Sequence, residues 1–79
     1  MAKFIDAHPM GKLSAEILHK LQHAPKDEFG VVHSDILYNK EDDKLYCVLE
    51  APDEEAVRKH HAAAGIEIDW LQKVESTRN

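Results

Sequence analysis

A single cysteine, Cys47, among 79 residues excludes an intrachain disulfide framework. A domain of this size buries only about 60% of its unfolded surface. Without disulfides it needs close packing, a metal or a partner chain to hold its fold. The lone thiol fits a reducing compartment. Apolar runs are short as well. None approaches the ~18 residues of a membrane span, and Asp6 interrupts an N-terminal stretch already too short for a signal peptide. A cytoplasmic protein with no membrane partner is the expectation. Basic residues are sparse and scattered, ten against fifteen acidic, for a formal net charge of -5. The clustered Lys and Arg that grip a phosphate backbone are missing, so no nucleic-acid partner is expected. There is no Gly-rich phosphate loop, no paired Cys-x-x-Cys and no His-Glu-x-x-His, hence no complete catalytic signature.

Histidine is in excess, with six copies. Imidazole binds metals and titrates near neutral pH, which makes these residues the first indication of chemistry. Exposed histidines are also ordinary surface residues, so their positions along the chain decide the matter.

Lys3 to His8 alternate as a strand does, and Pro9-Met10-Gly11 break it. Ser14 is an N-cap, followed by a helix to about Ala24 with Ile17, Leu18 and Leu21 as its apolar stripe; Pro25 ends it. Gly30 opens a second strand, Val31 to Tyr38; a polar turn leads into a third, Leu45 to Glu50. Asp53 caps a second helix, with Glu54 and Glu55 favoured at its positive end, and Gly65 stops it. Val57, one of His60 and His61, and Ala64 share a face of that helix. A last strand is centred on Leu71 to Val74, and residues 76–79 read as a frayed tail. The order is βαββαβ over one domain, residues 1–79. Right-handed crossovers reduce it to an α+β, ferredoxin-like antiparallel sheet of strand order 4-1-3-2, with two helices on one face and the other face open.

Hydrophobicity assigns the faces. Leu45, Cys47 and Leu49 form an apolar row for the helix-covered side, leaving Tyr46, Val48 and Glu50 on the open side. Ile5 and Ala7, and Val32, Ser34 and Ile36, suit the covered side, because a buried Asp would need a partner. The open face then carries Phe4, Asp6, His8, His33, Asp35, Tyr46 and Glu50. This holds only if the hairpin keeps strict register, since a slip of one residue exchanges the faces. Such a mixture of carboxylates and imidazoles suits Zn²⁺, Ni²⁺, Mn²⁺ or Fe²⁺, and equally a general acid and base. Elsewhere, His19 and His23 have chelating spacing but no third ligand nearby in sequence. Cys47 reads as a small buried core residue.

The run from Leu45 through Glu50-Ala51-Pro52 to Val57, followed by His60 and Gly65, resembles a family of small ferredoxin-like bacterial and archaeal proteins, as does Phe4-Ile5-Asp6-Ala7-His8. Some members are described as nickel-binding. The resemblance spans nearly the whole chain. It implies sheet pairing in a homodimer and a divalent metal, nickel first and zinc or another ion second. The matching positions are Asp6, His8, Cys47, Glu50 and His60. Asp6, His8 and Glu50 are therefore the leading metal candidates, with His33, His60 and Cys47 behind them. The competing reading is a dimeric α/β-barrel enzyme, in which two open faces enclose a small organic ligand and His8 or His33 moves a proton. A plain interaction domain is a third.

Overall fold

A computed structural model describes residues 1–78; Asn79, the end of the expected tail, lies outside the described residues. Strand β1 (Ala2–His8) leads to helix α1 (Ala15–Gln22), the hairpin β2 (Val32–Asn39) and β3 (Lys44–Ala51), helix α2 (Glu54–Ala63) and strand β4 (Trp70–Val74). The sheet order is β2-β3-β1-β4, all neighbours antiparallel, which is the expected ferredoxin-like arrangement. Both helices begin where capping chemistry starts them. Ser14 Oγ accepts from Ile17 N (3.2 Å), and Asp53 Oδ1 accepts from Ala56 N (2.8 Å). Helix α1 stops at Gln22, two residues short of the expected end.

The core joins Leu18 of α1 and Val57 of α2 to Phe4, Leu45, Cys47 and Leu49 on one side of the sheet. That side also holds the main departure from expectation. Across β1 and β3, Phe4 faces Leu49, Asp6 faces Cys47 and His8 faces Leu45. Phe4, Asp6 and His8 therefore share the covered face with the apolar row of β3 and are buried, whereas Ile5 and Ala7 point to the other side. Strand β2 also departs from strict alternation. The four-residue turn holds register, pairing Asn39 with Lys44, but a bulge at Ser34 separates the pairs His33–Leu49 and Asp35–Val48. Gln22 Nε2 pins it from α1, donating to the carbonyls of His33 (3.3 Å) and Ser34 (3.2 Å). A bulge re-aims the residues beyond it, so His33 lies on the covered side together with Ile36, while Val32 shares the open side with Glu50.

Candidate metal centre

Strand β1 places Asp6 and His8 two residues apart on the covered face, β3 sets Cys47 opposite Asp6, and α2 lowers His61 onto them from above. Val57 and His61 are four residues apart, and that spacing puts both on the inner face of α2, where each is buried. The four side chains are 0–4% exposed. One donor atom from each lies within 4.8 Å of the others. His61 Nε2 is 3.2 Å from Asp6 Oδ2, His8 Nε2 is 3.9 Å from Asp6 Oδ1, and Cys47 Sγ is 3.9 Å from His8 Nε2.

The hydrogen bonds around the cluster fix which atoms face inward. His8 Nδ1 donates to the Pro9 carbonyl (2.8 Å) and His61 Nδ1 to the Val57 carbonyl (2.9 Å). A carbonyl can only accept, so each neutral ring carries its proton on Nδ1 and turns the Nε2 lone pair toward Asp6. Asp6 receives nothing in return. Both of its oxygens are buried without a hydrogen-bond partner, and the 3.2 Å approach of His61 lacks hydrogen-bond alignment. While both rings are neutral, this buried carboxylate facing lone pairs costs several kcal/mol, and a proton taken up on His61 Nε2 offsets part of it. A cation placed among them removes that cost. Tetrahedral metal–ligand bonds of about 2.0–2.3 Å imply ligand–ligand edges of roughly 3.3–3.8 Å, against closest approaches of 3.2–3.9 Å and separations up to 4.8 Å here. By its donor set and spacing the cluster therefore fits a divalent ion: two imidazoles, a carboxylate and a thiol, each ring anchored through its second nitrogen as in established metal sites.

Electrostatics set the protonation of the metal-free cluster. Burial, then the Asp6 charge, pushes the Cys47 thiol well above its ordinary range, so the free thiol is protonated and unreactive. Burial alone would lower His61, but Asp6 and the Val57 carbonyl outweigh it and hold the imidazole above its usual 6.5. Burial, then His60 and His61, push His33 down to about 4.

Of the residues singled out from sequence, Asp6, His8 and Cys47 come together, on the covered face instead of the open one. Glu50 does not join them. It lies on the opposite face beside Lys3 and accepts from Ser34 Oγ (3.4 Å). His60 stands at the rim with Nδ1 2.5 Å from Asp27 Oδ2. His33 is half-buried, its ring centroid 5.3 Å from that of His60. With His8 and His33 on the covered side, a pocket between two open faces has neither of its expected proton-transfer residues. The sequence left open which of His60 and His61 faces the sheet, and the resemblance favoured His60; His61 is the one that turns inward, four residues from Val57.

The fold and the cluster define a ferredoxin-like protein with a buried mixed-donor centre. Residues 4–74 match the family described as Nickel responsive protein SCO4226-like, and the chain belongs to that family. It is also similar to the crystal structure of SCO4226 from Streptomyces coelicolor A3(2), with 26% identity and a TM-score of 0.76 over 96% of this chain and 99% of that one. No curated protein sequence matches it.

Proposed function

We propose that this protein binds one divalent ion, nickel in the first place, through Asp6, His8, Cys47 and His61. The Asp6 carboxylate carries the reading: it is fully buried and both oxygens lack a donor, while two lone-pair-bearing nitrogens converge on it. Charge of this kind is retained in a core when a cation is its partner. The family description supports nickel over the other ions the donor set accepts. Binding would also tie α2 to the sheet, since His61 comes from the helix and the other three residues from β1 and β3. An ion there would thus report its presence as a change in how firmly α2 is docked, a physical basis for responsiveness to metal.

Calorimetric titration of tag-free protein with Ni²⁺ tests the reading. One ion per chain is expected, with affinity lowered at least about tenfold in His8→Ala and in His61→Ala. Unaltered binding in both variants would remove this site.

A further inference from the structure

Four imidazoles run in a continuous file from the protein's rim to its buried centre. Ring centroids are 5.3 Å apart for His33 and His60, 5.2 Å for His60 and His61, and 5.4 Å for His61 and His8. Exposure falls along the file: His33 and His60 are half-buried, while His61 and His8 are buried. A cavity of about 70 Å³ follows the same path, and all four histidines and Cys47 line it. Its remaining wall is apolar, including Leu18, Leu21, Ile36 and Ile66. The described residues lining this route offer no side-chain oxygen, and an apolar passage without ligands is costly for a charge. Imidazole nitrogens are what the passage offers in exchange.

The outer pair is built for that exchange. His60 Nδ1 is held by Asp27 Oδ2, as the Nδ1 atoms of His8 and His61 are held by carbonyls, so its Nε2 is the free donor atom. Asp27 is itself fixed, with Oδ1 accepting from Phe29 N and Val31 N, both at 2.9 Å. The bulge at Ser34, clamped by Gln22, brings His33 to the same mouth.

We propose that His33 and His60, with Asp27 behind His60, form an outer station where a divalent ion trades water for imidazole before passing to His61, His8, Cys47 and Asp6. The proposal rests on the metal-centre reading above and adds a route to it. A station on the path alters rates in both directions and leaves the final equilibrium in place, because loading and release cross the same barrier.

Stopped-flow absorption on the tag-free protein, mixing with NiCl₂ and following the thiolate-to-nickel band of Cys47, measures loading; challenge with EDTA measures release. His60→Gln and His33→Gln are expected to slow both rates by about tenfold or more with unchanged Kd. Asp27→Asn, which keeps all four rings, slows them less. Should His60→Gln not fold, Asp27→Asn and His33→Gln still decide the question. Wild-type loading and release rates in those variants would overturn the station. So would a lost Kd with unaltered loading rate, which would make the pair equilibrium ligands. A wild-type protein that takes up no nickel would instead defeat the metal centre itself, an outcome distinct from both.

Discussion

Asp6 and Cys47 face each other across β1 and β3 on the covered side of the sheet, both buried, where an apolar pair would be the ordinary choice. The fold tolerates a carboxylate there with no aligned donor. Folding stability and metal affinity therefore make opposite demands on this position, and the first prediction follows from that conflict. Asp6→Asn removes the buried charge and supplies an amide N–H for the Nε2 lone pairs. At alkaline pH, above the raised His61 value where that ring is neutral, the metal-free variant should be more stable than wild type by about 1 kcal/mol, a rise of roughly 4–8 °C in Tm for a domain of this length, while nickel affinity collapses. A thermal melt of EDTA-treated protein at that pH checks it; a lower Tm would show that the carboxylate supports the metal-free fold.

The histidines give the metal-free protein a stability maximum in pH. His33 is pushed down to about 4. The unfolded chain therefore takes up a proton first as pH falls, and the stability His33 confers above about 6.5 is lost between there and about 4. His61 is shifted upward. Its contribution is complete below about 6.5 and is lost as pH rises through its higher folded value. Urea midpoints of the metal-free protein should thus peak near pH 6.5 and fall on both sides. A monotonic profile from pH 4 to 8 would contradict the pair of shifts.

Nickel should reverse the alkaline limb. The ligands must shed protons to bind, so affinity rises with pH over the window in which the metal-free fold weakens. Cys47 enters as a protonated thiol, and calorimetry in buffers of different ionisation enthalpy should show proton release on binding, larger near pH 6.5, where His61 adds its own, than at alkaline pH. Binding without proton release would leave Cys47 outside the coordination sphere. Until metal is added, the same thiol should resist alkylating reagents in the native protein.

The open face offers a separate test. Leu37, Tyr46, Ala7 and Trp70 form one row across all four strands, with Leu37 and Trp70 about half exposed at 52% and 47%. We propose that a second copy covers this row. Light scattering should give a dimer for the wild type and a monomer for Tyr46→Glu, since a buried unpaired charge disfavours association. A wild-type monomer at micromolar concentration would refute it.

Local signals made the fold legible. Ser14 and Asp53 announced their helices through capping chemistry, and the apolar row Leu45, Cys47, Leu49 announced the covered face of β3. The site was half legible. Asp6 and His8 stood out by residue type, Cys47 only through the family resemblance, but hydrophobicity pointed Asp6 and His8 outward, because a core carboxylate is costly unless something answers its charge. Here Asp6 is buried among His8, Cys47 and His61, so the ordinary rule gives the wrong face. His33 was misplaced for another reason. The bulge at Ser34 is clamped by Gln22 from α1, a tertiary contact that strict alternation along β2 does not reveal.

Nickel K-edge absorption spectroscopy of the loaded, tag-free protein tests the central claim most directly, because it reads the ligands themselves. The account predicts one sulfur scatterer alongside nitrogen and oxygen neighbours, with imidazole multiple scattering, and loss of the sulfur shell in Cys47→Ser. A wild-type spectrum of nitrogen and oxygen ligands alone, unchanged by Cys47→Ser, would place the ion elsewhere and contradict it.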